Sequence, residues 1–165
     1  MSQSKPEVPA LLTVNAGSSS VKWALFHLGA APVRAVSGRI ERIGLPEGIV
    51  TVTDGATGQA QRSIAKIPNH AAAVQLLIDQ LGQSGRGSSL QAIGHRVVHG
   101  GSRYTNPEVI SAAVMEELRR LSPYDPEHLP AEITLIQALD IQYPHTPQVA
   151  CFDTGFHQRL PPVAR

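Results

Sequence analysis

The stretch Leu11–Phe26, LLTVNAGSSSVKWALF, decides how the rest of this chain is read. It runs apolar, then small and polar, then apolar again, with a lysine just past the small residues. That is the pattern of two strands joined by a tight turn. Glycine lets such a turn pass close to a ligand, and serine hydroxyls beside backbone N–H groups suit an anion. Side chains alternate along extended chain, so Ser18, Ser20 and Lys22 share one face if the strand begins at the turn. A serine-rich turn by itself is ordinary turn chemistry. A lysine between Val21 and Trp23, inside an apolar strand, has no purely structural reason to be there. The stretch therefore reads as a phosphate-binding hairpin, with Asn15 at the end of its first strand. Both flanks are near-continuous apolar runs, which predicts strands covered on both faces.

Working outward, Val33–Ile43 predicts a third strand, and Ile49–Thr53 with Gln59–Ile64 a hairpin around Asp54-Gly55 and Gly58. Asn69 caps a predicted helix to about Leu81, with Val74, Leu77, Ile78 and Leu81 on one stripe and Gly82 as its stop. Gln83–Ser89 reads as a flexible connector and Ala92–Val98 as a strand. Asn106-Pro107-Glu108 predicts a helix start, Ser122-Pro123 its end, and a further helix begins near Pro130. Gln148–Phe152 is the last strand. Strands first, then alternating helix and strand, predict an α/β domain: a mixed sheet with helices packed on it.

Composition removes several function classes. The 14 Lys and Arg against 13 Asp and Glu, with 4% aromatic residues, make no case for a nucleic-acid partner. No apolar run approaches a membrane span, and residues 1–9 read as a short tail rather than a secretory signal. One cysteine, Cys151, admits no internal disulfide and suits a reducing, cytoplasmic setting. Its neighbours Val149, Ala150 and Phe152 predict a buried strand cysteine.

Two further clusters carry chemistry. In Gly94-His95-Arg96-Val97-Val98-His99-Gly100-Gly101, Arg96 lies in an apolar strand running into a Gly-Gly loop, and its planar fork matches a carboxylate or phosphate. A buried arginine paired with an internal acid would look the same. His95 and His99 read as hydrogen-bonded histidines rather than a metal pair. In Phe152-Asp153-Thr154-Gly155-Phe156-His157, the aspartate follows a buried strand, at the edge where α/β sheets place catalytic groups. Alone it would pass for a turn aspartate. Together the clusters supply an anion turn, a lysine, an arginine and an aspartate, which is what phosphoryl transfer needs.

NAGSSSVK at 15–22, GHRVVHGG at 94–101, FDTGFH at 152–157 and LPP at 160–162, in this order, resemble acetate kinase and related carboxylate kinases. The resemblance implies a ribonuclease-H-like domain of the actin, Hsp70 and sugar-kinase superfamily. Residues 10–165 would be the N-terminal domain, with the second domain of the family absent. It implies phosphorylation of a short carboxylate by ATP, acetate first, to an acyl phosphate and ADP by direct in-line transfer. Propionate, butyrate or another carboxylate is the alternative acceptor, and a non-catalytic phosphate-binding domain the alternative class. By position, Asn15 helps hold Mg²⁺, Ser18 and Ser20 line the phosphate turn, and Lys22 contacts ATP phosphate. Arg96 grips the carboxylate or acyl phosphate and Val98 belongs to the acyl pocket. Asp153 is the catalytic acidic residue, aligning the carboxylate and Mg²⁺. A family histidine that touches the transferred phosphate is replaced by Asp125, and His128 reaches that place only with a shift. Tyr124 stands where the family has an aliphatic residue of the acyl pocket. The resemblance also implies a homodimer.

Overall fold

The computed structural model describes residues 8–83, 87 and 89–157. Residues 1–7, the middle of the expected 83–89 connector and the Leu-Pro-Pro segment at 160–162 lie outside the described residues. The first strand, β1 (Ala10–Gly17), turns through Ser18-Ser19 into β2 (Ser20–His27), placing Asn15 directly opposite Lys22. The chain then meanders antiparallel through β3 (Val33–Glu41), β4 (Gly48–Asp54) and β5 (Ala60–Ala65). Helix α1 (His70–Gln83) crosses back and delivers β6 (Leu90–Val97) parallel to β1. A two-residue strand, β7 (Glu108–Val109), precedes helices α2 (Ala112–Leu121) and α3 (Leu129–Gln142). Strand β8 (Gln148–Phe152) lies parallel to β6, and the short α4 (Asp153–His157) follows it. Across the sheet the order is β5-β4-β3-β2-β1-β6-β8-β7.

Local chemistry accounts for most of these boundaries. Asn69 Oδ1 accepts the Ala72 N–H at 3.0 Å, the cap that starts α1. Asp54 Oδ1 accepts the backbone N–H groups of Ala56 and Thr57 at 3.0 and 2.9 Å, which closes the β4–β5 loop. Helix α1 continues past its expected stop at Gly82 to Gln83.

The expected helix start at Asn106-Pro107-Glu108 is corrected. Glu108 and Val109 pair instead with Ala150 and Val149 at the edge of the sheet, and the Ile110 N–H reaches Gln148 O at 2.8 Å. The helix begins only after Ser111, whose hydroxyl accepts the Val114 N–H. The open edge of β8 outcompetes the local proline signal, because leaving that backbone unpaired is costly.

The expectation of strands covered on both faces is also corrected. In β1 the alternate residues Ala10, Leu12, Val14 and Ala16 are buried, while Leu11, Thr13, Asn15 and Gly17 are only half-buried. Helices α1, α2 and α3 pack on a single face. Leu12, Leu25, Ile40 and Ile93 of the sheet meet Leu77 and Leu81 of α1 and Leu135 and Leu139 of α3. Val97, Ala150 and Phe152 meet Leu118 of α2 and Leu129 and Ile136 of α3. Each such fully buried Leu or Ile contributes about 1.5–3 kcal/mol of burial free energy. The other face of the sheet is left to the site.

Inside the core, Trp23 lies flat against Gly38, its register partner on β3. A Cβ at Gly38 would overlap the indole ring. Gly38→Ala is therefore expected to destabilise the chain by about 2 kcal/mol or more through overpacking. Trp23 is the one tryptophan, so a denaturant midpoint followed by its fluorescence measures this directly.

Candidate active site

Three strand ends converge on the open face. Thr13 and Asn15 of β1, Arg96 of β6 and Cys151 with Asp153 at the end of β8 line one cavity of about 850 Å³, together with Lys22 of β2. Parallel pairing of β1, β6 and β8 carries their carboxyl ends to the same edge, so residues distant in sequence meet there.

Arg96 is the hub. Its Nε donates to both Asp153 oxygens, at 3.1 and 3.0 Å, and its Nη2 to Asp153 Oδ2 at 2.5 Å. Its Nη1 donates to Asn15 Oδ1 at 3.2 Å. The Asp153 hydrogen bonds hold the Arg96 guanidinium even further above its ordinary range. The pair is still open to solvent, with 43% of the Arg96 and 33% of the Asp153 side chain exposed, so an incoming anion can reach the fork. Lys22 is exposed beside Asn15 and makes no ion pair among the described residues. Asp153 is set at the first residue of α4, where Gly155 packs so closely on the Thr105 carbonyl that a Cβ there would overlap it.

Behind this edge lies a second layer of polar groups. His95 is buried and its Nε2 lies 2.6 Å from Gln148 Oε1. Gln148 Nε2 donates to Ile136 O, so its Oε1 is the acceptor and the His95 Nε2 carries the proton. Burial lowers the His95 pKa to about 4, opposed by the Gln148 bond, so the ring is neutral at pH 7. His99 Nδ1 accepts the Gly101 N–H at 3.2 Å. Both histidines are thus hydrogen-bonded, His95 to a distant strand and His99 within its own loop, as ordinary hydrogen-bonded histidines were expected to be. Glu132 of α3 is 2% exposed and accepts the Val98 N–H at 3.2 Å. Burial raises its pKa to about 7, against the opposing pull of Val98 and Arg96.

The structure brings Asn15, Lys22, Arg96 and Asp153 into one cavity, as their pattern suggested. Ser20 is half-buried on the same face of β2 as Lys22, and Ser18 is exposed at the turn itself. Val98 is half-buried just past β6 and does not line the main cavity. Asp125 and His128 pair with each other, His128 Nδ1 to Asp125 Oδ1 at 2.9 Å, and neither lines that cavity. Tyr124 is 78% exposed and stands outside it too. Cys151 is a correction: it is exposed, not buried, because alternation along β8 buries Gln148, Ala150 and Phe152 and turns Cys151 to the open face.

Two contributors were missed. Glu132 carried a legible signal, being a lone acid in the apolar run Leu129–Leu135, the same anomaly that singled out Lys22. His70 had none: its Nε2 donates to the Gly17 carbonyl at 2.8 Å, tying the start of α1 to the serine turn.

The profile of the Acetokinase family matches residues 10–165. The chain belongs to that family. This acetokinase chain is 41% identical over 157 residues to the acetate kinase of Bacillus mycoides (strain KBAB4), covering 93% of this chain and 39% of that protein. It is 40% identical over 154 residues to the acetate kinase of Geobacillus sp. (strain WCH70). Among solved structures, a propionate kinase from Francisella tularensis subsp. tularensis SCHU S4 matches with a TM-score of 0.81 at 32% identity, over 93% of this chain and 39% of that one. The acetate kinase of Porphyromonas gingivalis matches with a TM-score of 0.81 at 30% identity and the same coverage. The acetokinase chain thus spans 38–39% of the length of these proteins. Its mixed sheet with helices is the fold of the actin, Hsp70 and sugar-kinase superfamily, as the motifs implied. No helix among its described residues is long and apolar enough to cross a membrane.

Proposed function

We propose that this chain carries the carboxylate- and phosphate-binding part of an ATP-dependent kinase that converts a short monocarboxylate, acetate among them, to its acyl phosphate. The observation that supports this reading is the Arg96 fork held between Asp153 and Asn15 in one cavity with Lys22. The acceptor is a carboxylate, already ionised at neutral pH, so no base has to remove a proton. The barrier is one of position and charge. A carboxylate oxygen attacks the γ-phosphorus in line. The new O–P bond forms as the bond to the β-phosphate oxygen breaks, and ADP leaves with that electron pair.

Each residue then has a task set by its chemistry. Arg96 binds the acceptor carboxylate and the transferring oxygens through its planar fork, and Asp153 orients that fork. Lys22 supplies a compact charge to the phosphate, and Ser18 and Ser20 offer hydroxyls at the turn. Val98, two residues beyond Arg96 but outside the main cavity, would offer an apolar side chain to an acyl group that extends past the fork. Asn15 Oδ1 and the Asp153 carboxylate are oxygen donors, the class Mg²⁺ takes, and these two residues would hold the ion. Bound there, Mg²⁺ supplies neutralisation of phosphate charge. Among the described residues no cluster of three or more His, Cys, Asp or Glu is placed to hold a metal. Asp125 and His128, engaged with each other, take no part in the transfer. We place the protein in the cytoplasm as a homodimer, in line with its family.

Turnover belongs to a protein that also contains the remaining length of the relatives. Residues 1–165 alone are expected to bind phosphate weakly and to form no measurable acyl phosphate from ATP; sustained turnover by the purified chain would overturn that division. In the longer protein, acetate and propionate are expected to give kcat/KM values within about tenfold of each other, because the cavity is wide and Tyr124 does not close it. A preference for acetate beyond about a hundredfold in a coupled ADP-release assay would contradict an open acyl site.

A further inference from the structure

Glu132 is an anomaly that the reaction as described does not use. It is buried on α3, as are Leu129, Ile133 and Ile136, and is nearly inaccessible, yet it is an acid. Burying a carboxylate is costly, and among the described residues the one donor it satisfies is a neutral backbone N–H, that of Val98. A glutamine oxygen would satisfy that donor equally well. The charge therefore has another use. The charged groups whose fields act on it are Arg96 at the end of β6, and Asp125 and His128 in the segment entering α3. Of these, Arg96 is the residue that meets the substrate in the reading above. Val98, held by Glu132, lies two residues beyond Arg96 on the same segment.

We propose that Glu132 is a positioning residue of the acyl end, whose buried carboxyl group holds the Val98 backbone and shares Arg96 with the incoming anion, so that anion binding and protonation of Glu132 go together. The proposal rests on the carboxylate-kinase reading of Arg96. An anion arriving at Arg96 adds negative charge near Glu132 and withdraws part of the cation that stabilises it, so the carboxyl group holds its proton more tightly. By reciprocity, a protonated Glu132 favours the anion. The Glu132 pKa of about 7 places this exchange in the neutral range. The charge of His128 also acts on Glu132, so the test must separate the two residues.

The experiment uses the 165-residue chain labelled for amide NMR, with acetate as the probe, since acetate stays ionised from pH 6 to 8. The Val98 amide signal is expected to follow a titration with a midpoint near 7, and Glu132→Gln to abolish it. Acetate affinity is expected to fall about fivefold or more from pH 6 to pH 8 in the parent chain. Glu132→Gln should be flat over that range and bind as the parent does at pH 6. Glu132→Ala should bind more weakly at every pH, because Val98 is released, and glutamine should restore what alanine loses. A Glu132→Gln chain that keeps the parent's pH dependence places that dependence outside Glu132 and overturns the proposal. So does a Val98 amide that does not titrate. If acetate binds at no pH while the Val98 amide follows Glu132, the carboxylate-kinase reading fails, and with it the sharing of Arg96, while the Glu132–Val98 link stands.

Discussion

Asp153→Asn is expected to lower acyl phosphate formation by about 10³-fold or more in the active protein, with KM changed far less than kcat. Among the described residues, three of the four side-chain hydrogen bonds of Arg96 go to this carboxylate. An amide presents one oxygen and no charge, so the fork loses both its bidentate partner and its orientation. The proposed transfer depends on placing positive charge where the phosphoryl group moves, and such groups are worth several powers of ten. The fold should hardly notice. The ion pair is open to solvent, and exposed pairs contribute about 0–1 kcal/mol. Arg96→Lys is expected to fail nearly as badly, because an ammonium cannot reach Asp153 and Asn15 in one planar geometry. Steady-state kinetics beside a thermal melt decide the matter. A variant within tenfold of the parent, at unchanged stability, would remove Asp153 from the chemistry.

The second large effect is concealed in the parent protein. His95 stays neutral in the fold down to about pH 4, whereas the unfolded chain takes up that proton near pH 6.5. The unfolded state then binds more protons, so this contribution is lost as pH falls from 6.5 to 4. Glu132 works the other way. The fold keeps its proton up to about pH 7, while the unfolded chain releases it near pH 4.5, so stability is lost as pH rises from 4.5 to 7. Each of these displacements is worth about 3 kcal/mol. Between pH 4.5 and 6.5 the two slopes cancel. Glu132→Gln should unmask the histidine: relative to the parent, the variant gains nothing at pH 4 and about 3 kcal/mol above pH 7. Urea midpoints of parent and variant across this range measure the difference, in which all other titrations cancel. A constant difference would show that Glu132 does not titrate in the folded protein. The gain also states what Glu132 costs, which is why a role at Arg96 is needed to account for an acid there.

Several choices were legible because they are local. A lysine in an apolar strand, an arginine before Gly100-Gly101 and an aspartate after a buried strand each break the pattern around them. Such breaks mark sites where function overrides packing. The caps at Asn69 and Asp54 are likewise made within three residues. Where local and long-range signals competed, the long-range one won. Pro107 and Glu108 favour a helix start, but the free edge of β8 claims Glu108 and Val109 first. Cys151 sits in an apolar run, yet its register opposite Arg96 turns it to the open face.

By itself the sequence determined the α/β class, the opening hairpin and four of the residues that meet at the site, because hydrophobic period, turn chemistry and misplaced charge are properties of short windows. Only the tertiary structure decided that the helices cover one face of the sheet, and that Asn15 and Asp153 grip Arg96 from opposite sides. It alone put Glu132 behind Val98 and His70 behind the serine turn. These are contacts between segments from 34 to 81 residues apart. Their partners are chosen by parallel strand register and by which helix face is buried, and neither is written in any window of the chain.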